Sequence, residues 1–328
     1  MRSAVPLLLI VAACGSKASP AADAAAPDAA ADAAPDARPP DASPADAGAD
    51  AGGVDASELL DCAQPITCPQ PAAGKMTVCG QLADLEMSLP IEAAQPKGLC
   101  DPGSPTADGP CALAVHPYDA IAFAQDPKGA TELPNGGVTV DECGRFRIAD
   151  ITPMNAAAIG LAVDNATGVD TYRLSGSVIP LALGKTVTDV PLFAITKTLD
   201  TKWTAAAGLT GATFVDRGVY VGIFVHAGDP VASVKVTRSG ATDAANDYYF
   251  SDPAPGTRTT IDPAQASTGA NGTALMIGTP DSLVLYSGTG GETTDCKWPS
   301  DVGDQIPGAA FVQPRLEVTK ANPSTLCP

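Results

Sequence analysis

The chain has 328 residues, among them 31 Pro and 32 Gly, with 5% aromatic and 17% charged residues and a formal net charge of −18. So acidic a surface repels phosphate backbones and disfavours nucleic-acid binding. Nine cysteines without one Cys-x-x-Cys pair argue against zinc fingers and against a reducing compartment.

At the start, Met1-Arg2-Ser3 supplies one positive charge, Leu7-Leu8-Leu9-Ile10-Val11 is a short apolar run, and Ala12-Ala13 precede Cys14. The run is far shorter than the roughly 20 residues a membrane-spanning helix needs. Residues 1–14 resemble a bacterial lipoprotein signal peptide with its lipobox. The resemblance implies a signal peptide over 1–13, cleavage after Ala13, and diacylglycerol on the sulfur of Cys14. The competing reading is an ordinary cleaved signal that happens to contain a cysteine. Parity favours the lipobox, because setting Cys14 aside leaves eight cysteines that can all pair. Several acyl chains at ~0.8 kcal/mol per buried methylene anchor a protein firmly, so the membrane is one expected partner. By the same lipoprotein resemblance, Gly15 rather than Asp at the next position implies the outer membrane, with the periplasmic or cell-surface face left open.

Residues 14–56 read as a tether. From Ala21 to Ala56 the chain is almost wholly Ala, Asp, Pro, Gly and Ser, with eight aspartates and prolines at 27, 35, 39, 40 and 44. Such a segment lacks the apolar area to offset ordering entropy, and its prolines interrupt any helix before it reaches the ~12 residues that stand alone. As a flexible coil it spans about 35–40 Å. The remaining residues, 57–328, keep 16 basic and 29 acidic side chains.

Beyond Ser57 no run sustains helical periodicity. Short β-branched or alternating segments recur, bounded by Gly, Pro, Asp and Asn. The expected strands are 75–82, 112–115, 119–124, 137–140, 145–151, 157–163, 171–174, 187–196, 218–225, 232–238, 248–250, 257–261, 273–277, 283–286 and 310–318. Only Leu199–Leu209, around Trp203, reads as helix. The expectation is an all-β body of two tandem antiparallel sandwiches of transthyretin/Ig-like type: a first over 57–200, a linker helix or seam over 201–217, and a second over 218–328.

Two stretches carry a family likeness. Met76-Thr77-Val78-Cys79-Gly80-Gln81-Leu82 is followed by Thr139-Val140-Asp141-Glu142-Cys143-Gly144-Arg145-Phe146. Val219-Tyr220-Val221-Gly222-Ile223-Phe224-Val225 leads in turn to Thr268-Gly269-Ala270-Asn271-Gly272-Thr273-Ala274-Leu275. Both resemble the carboxypeptidase-regulatory-like, or transthyretin-like, sandwich, with a cysteine-bearing insertion around 96–117 in the first copy. The resemblance implies non-catalytic use as a stalk, adhesion module or accessory unit, and puts Phe146 and Leu275 in the core.

Eight cysteines remain for bridges. Cys100 and Cys111 bracket a loop devoid of core residues and are expected to pair, as are Cys296 and Cys327, which would fasten the C-terminal tail. For the other four, Cys62–Cys68 with Cys79–Cys143 is the first choice and the crossed pairing of Cys62 and Cys68 with Cys79 and Cys143 the alternative.

No Gly-x-Ser-x-Gly, His-Glu-x-x-His, P-loop or Gly-x-Gly-x-x-Gly motif occurs, and only His116 and His226 offer an imidazole. No catalytic residue, metal ligand or cofactor is therefore assigned. For ligand binding, Trp203, Trp298 and Tyr249 are the aromatic candidates to stack on a sugar ring or peptide. The functional expectation is a non-catalytic envelope protein acting as structural, adhesion or ligand-presenting module, its partner an envelope polysaccharide or protein. A carbohydrate- or peptide-binding protein and an envelope hydrolase using paired carboxylates are the alternatives.

Overall fold

A computed structural model describes residues 60–127, 129–278, 284–290, 296–303, 305–317 and 319–320. The expectations for Cys14, the signal peptide and the tether lie outside the described residues, as does Cys327 and with it the Cys296–Cys327 bridge. Among the described residues no helix is long and apolar enough to cross a membrane.

In chain order the first half comprises β1 (Met76–Asp84), β2 (Leu89–Pro90), β3 (Leu113–Asp119), α1 (Ala120–Gln125), β4 (Val138–Val140), β5 (Arg145–Ile151), β6 (Ala158–Asn165), β7 (Tyr172–Arg173), β8 (Ser175–Pro180) and β9 (Thr186–Thr196). Helices α2 (Lys197–Ala206) and α3 (Phe214–Arg217) follow. The second half comprises β10 (Val219–His226), β11 (Asp229–Pro230), β12 (Lys235–Arg238), β13 (Asp247–Phe250), β14 (Ile261–Asp262), β15 (Thr273–Met276), β16 (Val284–Thr289), β17 (Cys296–Lys297), β18 (Asp301–Gly303), β19 (Ala310–Glu317) and β20 (Thr319–Lys320).

The two halves repeat one strand plan. In the first, the order β4-β5-β1-β9 faces β3-β6-β8; in the second, β13-β15-β10-β19 stands opposite β12-β16-β18. The senses also match: β1 pairs antiparallel with β5 and parallel with β9, and β10 pairs antiparallel with β15 and parallel with β19. The sheets are therefore mixed, where the sequence suggested purely antiparallel ones. The first and last strands of each half lie side by side and run the same way, because the chain between them crosses to the opposite sheet and returns.

A core fills each half. Met76, Val78, Phe146, Ile148, Leu161 and Leu192 belong to one, and Tyr220, Phe224, Val236, Met276 and Tyr286 to the other. Tyr220 and Tyr286 stack with ring centroids 3.8 Å apart. Glycine is required inside β1: a Cβ at Gly80 would run into the Val190 carbonyl and the Phe146 ring, so the close approach that lets Phe146 fill the core leaves no room for a side chain.

The halves also share a layer. β19 pairs with β8 through Ala310↔Ser175 and Phe311↔Gly176, joining β3-β6-β8 to the second-half sheet as one nine-stranded sheet. Residues directly opposite each other lie on the same face of a sheet. Tracing Val163↔Ser175↔Ala310 puts the first core and the helices on one face of this sheet and the second core on the other.

Helices α2 and α3 occupy the stretch read as a seam. Thr196 caps α2 by accepting the Leu199 N–H, and Thr213 and Asp216 form a capping box on α3. Leu199, Trp203, Phe214 and Val215 pack on Val219, Val221 and Leu275. Asp200 Oδ2, fully buried, lies 2.8 Å from Arg173 Nε, an ion pair tying α2 to the first half.

Three local readings change. Residues 120–125 form helix α1 rather than a strand, because the Asp119 carboxylate accepts the Ile121 and Ala122 N–H groups and starts a turn. The strand expected at 257–261 shrinks to Ile261–Asp262. Ser175–Pro180, passed over because serine and glycine mask its alternation, is β8, the strand that joins the halves.

A candidate binding groove

The β1–β2 hairpin has its counterpart in β10–β11, since both short arms fold back on the first strand of their half. The second-half hairpin reaches β12 through residues 231–234 alone, whereas residues 91–112 separate β2 from β3. This long connection is one of the departures between the halves, beside α1 and the 251–272 connection of the second half, and it holds the two cysteines of the insertion seen in the sequence. Cys100–Cys111 closes its outer part, with Cα atoms 5.1 Å apart. Within the closed loop the Asp101 carboxylate accepts the Gly103 N–H at 2.8 Å, while Pro102, Pro105 and Pro110 restrict the backbone. The loop is shaped by turns and a bridge instead of a core.

Between hairpin and loop lies a cavity of about 640 Å³. Asp84 and residues 87–94 except Ser88 line one side, and Thr106, Asp108, Gly109, Pro110 and Cys111 the other. Glu142, from the β4–β5 turn, and the register partners Tyr172 and Thr196 complete it. Among the described residues, four carboxylates thus line the groove, and no lysine, arginine or histidine does. They are spread out: among the described residues no three His, Cys, Asp or Glu side chains are placed to hold a metal ion. The apolar share is as distinctive, since Met87 is 43% and Leu89 58% exposed.

Tyr172 is 7% exposed. Burial raises the pKa of its hydroxyl, and the charges of Asp108 and Asp84 raise it further against a backbone bond from Gly109. Burial likewise raises the Asp84 carboxyl, helped by the charge of Glu86, while the N–H groups of Glu86 and Met87 and the charge of Arg258 pull it back.

Arg258 holds the hairpin from behind. Only 3% exposed, it donates through Nε to Thr273 Oγ1 at 2.7 Å, and through Nη1 to the Leu85 carbonyl at 3.2 Å and to Ser88 Oγ. Burial lowers its pKa to about 10. Ser88, at φ 55°, takes a left-handed turn that its N–H bond to the Asp84 carbonyl, 2.8 Å, helps to fix. A second-half arginine therefore braces the first-half hairpin.

The aromatic residues nominated for ligand stacking are all core residues. Trp203 is wholly buried, packs edge-on against Phe250 at 5.3 Å, and donates Nε1–H to the Arg258 carbonyl at 2.8 Å. Trp298, 6% exposed, donates to the Gly290 carbonyl at 3.0 Å and packs edge-on against Phe224. Tyr249, 3% exposed, accepts the Val236 N–H at 3.2 Å. Scarce aromatics in a large body go to its cores first, where each buries 150–250 Å². None of the three touches the groove. What sequence reasoning missed is Tyr172, lone in a two-residue strand, and Met87 and Leu89, which a strand pattern assigns to packing.

Two bridges differ from the first-choice pairing. Cys62 bonds Cys143 and Cys68 bonds Cys79, the crossed alternative, whereas Cys100–Cys111 is as expected. The strap after Leu60 runs along the sheet rather than closing on itself. Arg145, paired with Asp141 at 2.7 Å, donates to the carbonyls of Asp61 and Gln64 and draws Cys62 to the β4–β5 turn where Cys143 sits. His116, on β3, has its Nδ1 3.1 Å from Glu132 Oε2, and His226 ends β10 in the other half; neither imidazole is in the groove lining.

No family model and no curated protein matches the chain. Among solved structures, a shaft pilin, SpaA of Lactobacillus rhamnosus GG, is similar at 9% identity and a TM-score of 0.20, with 76% of this chain and 99% of that one covered. A carbohydrate-binding module of family CBM26 from Eubacterium rectale Amy13K, solved with maltoheptaose, is similar at 11% identity and a TM-score of 0.20, covering 76% and 98%. Overlaps this weak carry no argument about function.

Proposed function

We propose that the chain is a non-catalytic, lipid-anchored protein of the outer membrane whose β-body holds a ligand, an envelope protein or polysaccharide, in the groove beside the 100–111 loop. One observation carries this reading: a long connection that the second half lacks at the same place walls the groove, and a disulfide holds it in shape. The repeated strand plan supports two tandem sandwiches over 57–200 and 218–328, of carboxypeptidase-regulatory-like type, with α2 and α3 between them. The lipobox supports an anchor at Cys14, and the composition of 14–56 supports a solvated spacer. Two groove carboxylates already serve backbone N–H groups, Asp84 with Glu86 and Glu142 with Lys97, which suits a binding wall better than acid–base exchange.

Metabolic labelling with a palmitate analogue tests the anchor: label lost in Cys14→Ser supports it, and unchanged label refutes it. For the groove, a photoreactive amino acid at Leu89 should crosslink to envelope components in cells, while one at Leu183, another exposed leucine, should not. Equal crosslinking from both, or none from Leu89, contradicts the reading.

A further inference from the structure

We infer that the groove takes an extended peptide segment of a partner protein in which lysine or arginine stands beside apolar side chains; this deepens the groove-binding reading and rests on it. Charge complementarity and an apolar wall converge on that occupant. Among the described residues, the lining offers Asp84, Glu92, Asp108 and Glu142 and no basic side chain. Of the cations bordering it, Arg258 is engaged in the bonds behind the hairpin and Lys202 with Glu86 at 3.3 Å, while exposed Lys97, whose backbone N–H binds Glu142, stands outside the lining. A cationic ligand head therefore meets a lining of net negative charge, and an anionic polymer is repelled.

The carboxylates are separated along the wall by apolar surface from Met87, Leu89, Pro90, Ile91 and Pro110, with Met87 and Leu89 open to solvent. Lysine and arginine lay aliphatic stems on such surface while their heads reach charge. A neutral sugar fits less well. The groove has one aromatic ring, Tyr172, at 7% exposure, so no platform exists on which a pyranose could lie. About 640 Å³ falls within the range that encloses drug-sized ligands, ~300–1,000 Å³, enough for a few side chains of an extended chain.

The test uses the full chain and three probes: fluorescein-labelled acetyl-Lys-Leu-Lys-Leu-amide, the matching Glu-Leu-Glu-Leu peptide, and maltoheptaose. Polarisation reads the peptides and titration calorimetry the sugar. Glu92→Gln with Asp108→Asn changes two exposed side chains, and an unaltered thermal melt verifies folding. Support is Lys-peptide binding that weakens about tenfold in the double variant and about tenfold between 0.05 and 0.5 M NaCl, with weaker binding in Leu89→Ser and none of the Glu peptide. Equal binding of both peptides, or Lys-peptide binding indifferent to these variants, overturns the inference. Maltoheptaose binding lost in Leu89→Ser, with no Lys-peptide binding, overturns the cationic class and leaves the groove as the site. Absence of binding by every probe overturns the inference, while the crosslinking from Leu89 separately decides the groove reading.

Discussion

Removing the two disulfides that flank the groove should destabilise the body unequally, and the order follows from the pairing. In the chain-entropy treatment a bridge stabilises by restricting the unfolded chain, by an amount that grows with the logarithm of loop length. Cys62–Cys143 spans a sequence separation of 81 and Cys100–Cys111 one of 11. At 25 °C these correspond to about 4.5 and about 2.8 kcal/mol, a difference of about 1.7 kcal/mol. Packing adds in the same direction, since Cys143 is 1% exposed whereas Cys100 and Cys111 are half-buried. The assay is equilibrium urea unfolding of Cys62→Ala/Cys143→Ala and of Cys100→Ala/Cys111→Ala, followed by far-UV circular dichroism. The first pair should lose clearly more free energy than the second. An equal or reversed order would refute the loop-length reasoning.

Other outcomes follow from the same geometry. Trp203→Ala should cost about 3–5 kcal/mol in urea unfolding, because the indole is wholly buried and its Nε1–H is bound; an effect under 1 kcal/mol would remove it from the core. Arg173→Met should cost about 3–5 kcal/mol by leaving the fully buried Asp200 carboxylate unpaired, and Arg173→Met/Asp200→Leu should recover part of that loss. Burial pushes Tyr249 up to about 12. The folded state thus keeps a proton that the unfolded state, near 10, releases, so stability is complete below pH 10 and declines as pH rises towards 12, by up to about 2.7 kcal/mol. Tyr249→Phe should flatten that decline in urea midpoints taken from pH 9 to 11.5, and an unchanged slope would count against the burial argument. Finally, tryptophan fluorescence, which reports only on residues after α2 begins, should show the same urea midpoint as circular dichroism, because β19 joins both halves in one sheet.

The all-β class and most strands were legible because alternation, β-branching and Gly/Pro/Asp punctuation are local signals. Arg145–Ile151 forms over the residues its pattern marks. The repeat of strand plan showed as two similar stretches, and Phe146 and Leu275 both lie in cores. Long-range pairing was less accessible. Ser175–Pro180 reads as a loop until β6 and β19 flank it, and Cys62 finds Cys143 through a bond network around Arg145 that no spacing encodes. The groove itself was half visible: the insertion stood out by its cysteines and prolines, but the acids that line it come from β1, the 91–112 connection and the β4–β5 turn, which only the fold assembles. Aromatic residues misled for a compositional reason, since so few rings had to serve the cores before any surface.

The central claim is that ligand enters the groove built by the hairpin and the 100–111 loop. Hydrogen–deuterium exchange of the full chain, with and without saturating acetyl-Lys-Leu-Lys-Leu-amide, tests it most directly. The account predicts slowed exchange confined to residues 84–94 and 106–111 and the flanking turn at Glu142. Protection located instead on β12, β16 and β18, or spread evenly over both halves, would contradict it.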